Sequence, residues 1–385
     1  MSIRRVGFGV LLVILLAKEA ASQHPTVSTR VLLSPPGDTL IGVPKLIIRA
    51  GATGVMINPG VRGPIYYLAD ARPVPKAIGA LGEGPGEYSR PAGLAVKGDT
   101  LVVWDVGTRR LTRFLVSGKP LGTRLIQPPR EPKNCIPAGP TIDGDLVCLT
   151  GSRDSTRFLN LTSYVIPVWG GGRIRLASRG RSESSDLALT VQGHDFTSPR
   201  LVPVGPFFAG AHGLAKWAAI ENTVDRGGLG HTRVTQGGAD GVTRVWEVPF
   251  RPRPSMPLLD SLVSVRVRAL QRRDPFRRLS ESDLAGALTR ASRPLPELVG
   301  GARSARVGAD GCVWLRMPDE AAGAPARVVQ RWIVLGSKTA PTGRGVTLDL
   351  PQASRVDDVS CTDAVGATSD SDGTPTIVRW IIPSR

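Results

Sequence analysis

Histidine is scarce in this chain: His24, His194, His212 and His231 are the only four in 385 residues, and no two stand two or four positions apart. That spacing disfavours a metal centre built mainly from imidazole. Cysteine is equally sparse, at four, and the absence of a C-x-x-C pair argues against zinc. No cysteine precedes Cys135, so the lipid-anchoring residue of a bacterial lipoprotein leader is missing. Long hydrophobic runs are missing too. The longest, Val6 to Ala17, is about a dozen residues, well short of the roughly 20 that a membrane-spanning helix needs. No G-x-S-x-G motif occurs, and Gly336-Ser337-Lys338-Thr339 lacks both the glycine next to the lysine and the upstream glycine of a nucleotide loop.

What is present at the start is a secretory leader. Arg4 and Arg5 precede the apolar run, and Ala20-Ala21-Ser22 supplies a small-residue cleavage pattern, which predicts a signal peptide over residues 1–22. Residues 23–385 are then expected outside the cytoplasm, secreted or periplasmic, as a monomer with no membrane span. The formal charge of +17 invites a polyanion partner. However, the basic residues are mostly arginine, enriched together with Ala, Gly and Pro, all favoured by GC-rich codons, and they form no polybasic run. Nucleic acid is therefore not the expected partner.

The plainest structural signal is a repeat. Leu94–Val96, Leu101–Trp104 and Leu111–Val116 are β-runs separated by the turns Lys97-Gly98-Asp99 and Asp105–Thr108, and Ser117-Gly118 ends the third. Similar units start near Leu46, Cys135, Leu201, Ala305 and Val356. Six units of this size predict an all-β, six-bladed β-propeller. The last unit shows three strands, so Val27–Leu33 is expected to supply its outer strand and close the ring. Aligning Asp70 with Asp105 would place Tyr67 and Leu68 at the positions that Val102 and Val103 hold in blade two. From Pro257 to Ala291 the period changes. Leu258, Leu262, Val265 and Ala269 fall at helical spacing, and Ser280 with Asp283 resembles a capping box, which predicts a helical insert between blades four and five. Arg266, Arg272, Arg273, Arg277 and Arg278 lie on its outer side. In an oxidising compartment the cysteines are read as Cys135 with Cys148, within one hairpin, and Cys312 with Cys361, between neighbouring blades; buried free thiols are the alternative.

Gly82-Glu83-Gly84-Pro85-Gly86-Glu87-Tyr88, Pro91, and the turn from Trp104 to Leu111 resemble secreted bacterial six-bladed propellers related to NHL repeats. Thr108 stands where that repeat commonly has Asn, and Arg110 matches its arginine. The match is specific in blade two, good at Asp310–Leu315 in blade five, and weak in blades one, three and four. The resemblance implies the fold and leaves the function open.

Chain direction places the connections between blades on the same face as the turns between second and third strands. Glu87, Tyr88, Arg90, Asp105, Arg109 and His231 are the binding candidates on that loop-rich face. Each has a structural counterpart: Asp105 as a turn brace, Arg109 or Arg110 as its ion-pair partner, Glu87, Tyr88 and Arg90 as bracing for the inter-blade turn, His231 as a loop residue. The expected function is non-catalytic binding of a protein, peptide or glycan, with no cofactor. The alternative is a lyase or hydrolase acting on a small molecule, with a divalent cation such as calcium in the channel, for which three or more carboxylates or imidazoles should converge there.

Overall fold

The computed structural model describes residues 27–33, 44–60, 63–70, 72–127, 132–153, 158–170, 172–183, 186–191, 194–199, 207–210, 216–238, 241–272, 276–292, 298–317, 329–336, 345–351, 353–369 and 374–382. Six four-stranded antiparallel sheets follow one another as the blades of a propeller. Their inner strands are Leu46–Arg49, Pro91–Lys97, Ile136–Pro140, Phe207–Gly210, Ser304–Val307 and Arg355–Val359. Blade six takes its outer strand from the other end of the chain. Ser28–Leu33 pairs antiparallel with Pro375–Ile381, from Ser28 opposite Ile381 to Leu33 opposite Ile377. This is the expected closure, and it removes the open edge that a three-stranded last blade would leave.

Alternation within the strands puts apolar side chains on both faces of each sheet, and these pack between neighbouring blades. Ile47, Val55 and Leu68 of blade one meet Leu32, Val365 and Ile377 of blade six. Trp314 and Leu348 of blade five meet Val356 and Trp380 of blade six. Fully buried aromatic and aliphatic side chains such as these contribute roughly 1.5–3 kcal/mol each.

Two corrections concern blade one and the insert. The second strand of blade one is Gly54–Asn58, buried throughout, and Tyr67 and Leu68 belong to its third strand. Asp70 therefore sits in the turn between third and fourth strands, and the structural counterpart of Asp105 is Asn58, which also ends a second strand. The insert is present between blades four and five as helix α1 (Ser255–Gln271), a 3-10 turn at Phe276–Arg278 and helix α2 (Glu281–Ser292). Its buried stripe on α1 is Leu259, Val263, Val267 and Leu270, while Leu258 and Leu262 flank it and Val265 is 56% exposed. At the start of α2, Ser280 Oγ accepts from the Asp283 amide at 3.1 Å and donates to its carboxylate at 2.7 Å. Arg272, Arg277 and Arg278 are exposed and Arg266 half-buried; Arg273 lies outside the described residues. The leader and the inner-strand run expected from Leu201 to Pro206 lie outside them as well.

Both disulfides form as read, Cys135–Cys148 joining adjacent strands of blade three and Cys312–Cys361 joining blades five and six.

Candidate functional site

On the loop-rich face the six sequence candidates divide by role. Asp105 is buried at the end of a strand, and its carboxylate accepts from the amides of Ser89, Arg90 and Gly107 at 2.8–2.9 Å and from Thr108 Oγ1 at 2.7 Å. Burial pushes its pKa up, but these four donors outweigh that and hold it below the usual carboxylate value. The Tyr88 hydroxyl accepts from the Ile65 amide and donates to the Ile78 carbonyl, both at 2.5 Å, and burial raises its pKa to about 12. Gly79 packs under the same ring: a Cβ there would lie 2.7 Å from Tyr88, and its φ of +69 is one that glycine adopts readily. Glu87 caps the Gly84 amide at 2.7 Å. These three side chains hold the connection between blades one and two in shape. Arg90 and Arg109 are exposed, and Arg109 adopts φ +55 in the turn after Asp105. His231 lies 3.8 Å from Asp225 within its own hairpin turn. The structure thus joins Asp105, Arg90 and Glu87–Tyr88 around one turn and leaves His231 in another blade.

The charged centre that sequence reasoning missed lies on the opposite face, where the turns between first and second strands ring the channel. A cavity of about 560 Å³ opens there, lined from blades one, two, three, five and six. Arg49 of blade one reaches blade six, donating to Asp358 through its amide at 2.9 Å and Nε at 3.3 Å, to Asp363 through Nη1 at 3.4 Å, and to the Val359 carbonyl through Nη2. Burial alone would lower the pKa of this guanidinium, but Asp358 and Asp363 together raise it. Arg379 of blade six answers in the other direction, donating to the carbonyls of Ala52 and Gly54 and to Asp363 and Asp70. Asp310 of blade five accepts from the Cys361 amide at 2.7 Å and the Cys312 amide at 3.2 Å. Residues 49, 310, 358, 363 and 379 are far apart in the chain, so no local spacing signals this arrangement.

No family model matches the chain, and no curated protein is similar to it. Solved structures that resemble it include an exported-protein candidate from Bacteroides fragilis, at 13% identity over 94% of this chain and 97% of the other, with a TM-score of 0.40. A member of the DUF4221 family from Bacteroides vulgatus is 9% identical over 93% and 98%, with a TM-score of 0.40. YCF48 from Cyanidioschyzon merolae is 10% identical over 92% and 98%, with a TM-score of 0.39. At this level of similarity no ligand or partner carries across.

Among the described residues, Asp310, Cys312 and Cys361 form the one group of three or more potential metal-ligating side chains. The two cysteines are oxidised to each other and offer no thiolate, so the group is a turn beside a disulfide. In the channel wall, Arg355 holds the buried carboxylate of Asp357 in two bonds of 2.7–2.8 Å. Burial still raises that carboxyl above its ordinary pKa.

Proposed function

We propose that this chain is an extracytoplasmic, non-catalytic six-bladed propeller that binds a protein, peptide or glycan through its loop-rich face. One observation carries the reading: Leu81, Val106, Ile136 and Leu229 stand 42–72% exposed at that end of the blades. Arg90 and Arg109 are exposed beside Val106. Apolar side chains interspersed with arginine, held on braced turns, are the composition of a recognition surface. The leader at residues 1–22 and the two disulfides support an oxidising location outside the cytoplasm. Among the described residues, no helix is long and apolar enough to cross a membrane.

A double variant tests the surface. Val106→Asp with Arg90→Glu should weaken the strongest signals on peptide and glycan arrays by roughly tenfold or more, while the melting temperature stays within about 2 °C because both side chains are exposed. An array profile unchanged by the two substitutions would remove this face from consideration.

A further inference from the structure

The cavity on the opposite face can be read from its hydrogen-bonding inventory. Its guanidinium groups are committed to the protein. Arg49 directs Nε and both terminal nitrogens at Asp358, Asp363 and the Val359 carbonyl. Arg379 directs its terminal nitrogens at two carbonyls and two carboxylates, and its unpartnered Nε is sealed from solvent, so it does not open onto the cavity. Arg30, at the rim, turns both terminal nitrogens to Asp70. An anion would have to break these pairs to be held.

Acceptors, in contrast, remain open. Asp310 is exposed, accepts only backbone amides, and forms no ion pair among the described residues, although it feels the charge of the Arg49 guanidinium. Four carboxylates line the cavity against three guanidiniums, in a chain whose overall formal charge is +17. The local sign is therefore the reverse of the global one. The remaining wall mixes apolar side chains, Ile48, Val96, Ile142 and Ile381, with the hydroxyls of Thr53, Ser360 and Thr362. A volume of about 560 Å³ is in the range of small-molecule sites.

The geometry points to a binding site for an organic ammonium: a primary amine whose charged end meets Asp310 and whose hydrocarbon body lies against Ile381 of the neighbouring blade. The ammonium supplies three donors and no acceptor, which matches a cavity with acceptors to spare. Free alkylamines and the amino terminus of a peptide share this chemistry. The site is independent of the loop-rich face and does not rest on the reading given for it.

Calorimetric titration of the intact mature protein with hexylamine, hexanoate and hexanol at fixed ionic strength and pH 7 separates charge from apolar contact. Hexylamine should bind at least about tenfold more tightly than either of the others. A tripeptide with a free amino terminus, compared with its acetylated form, separates the two sources of the amine. Asp310→Asn should weaken hexylamine binding about tenfold, whereas Asp143→Asn, on the same face but paired with Lys97, should not. Ile381→Trp, which leaves Asp310 in place, should also weaken it by filling the cavity. Equal binding of amine and carboxylate, no binding of the amine, or wild-type affinity in both Asp310→Asn and Ile381→Trp would overturn the assignment.

Discussion

Arg379→Ala is expected to cost about 3–5 kcal/mol of unfolding free energy, the penalty for breaking a buried ion pair from one side. The side chain is 4% exposed and spans the seam where the last blade meets the first. Without it, the carbonyls of Ala52 and Gly54 lose a donor and the carboxylates of Asp70 and Asp363 lose a counter-charge, though Arg30 and Arg49 still face them. Arg379→Lys keeps the charge but not the forked geometry that reaches four acceptors, so its loss should fall between wild type and alanine. Urea titration followed by tryptophan fluorescence measures both. A loss under about 1 kcal/mol for Arg379→Ala would show that the seam does not depend on this residue.

The second large effect belongs to the Cys312–Cys361 bridge. It closes a loop of 49 residues, against 13 for Cys135–Cys148. On chain-entropy grounds the longer loop is worth about 4 kcal/mol and the shorter about 3. Cys312→Ala with Cys361→Ala should therefore destabilise more than Cys135→Ala with Cys148→Ala. The longer bridge also joins two blades beside the channel cavity, whereas the shorter one joins strands already paired within a blade. Midpoints of urea unfolding for the two double variants decide the order, and the reverse order would contradict this account of the blade five–six junction.

How far the fold could be read from the sequence depended on turn chemistry. Blades two and five were legible because Gly98 and Gly311, both at positive φ, end short apolar runs at turns that glycine favours. The strand Gly54–Asn58 was hidden between glycine-rich flanks and buried on both faces, so it shows no alternation to reveal it. The fourth strand of blade three, Arg175–Glu183, and the strand His194–Pro199 that pairs with Asp186–Val191 were missed for the opposite reason, since polar residues dominate those two segments. In the helical insert the period was visible, but the phase was displaced by one position, because Leu258 and Leu259 both offer an apolar start. Tyr88 and Asp105 were recognisable as residues with a task, and their task in this structure is to brace a turn. The channel cavity had no sequence signal at all, because its charged residues come together only when the ring closes.

Ring closure is the central claim, and a cross-strand disulfide tests it most directly. Ser28 and Ile381 are paired across the closing seam and both are exposed. Ser28→Cys with Ile381→Cys, oxidised under native conditions and mapped by mass spectrometry, should give an intramolecular bridge between the two ends of the chain. Free thiols at both positions, or bridges formed only between molecules, would contradict closure by the N-terminal strand.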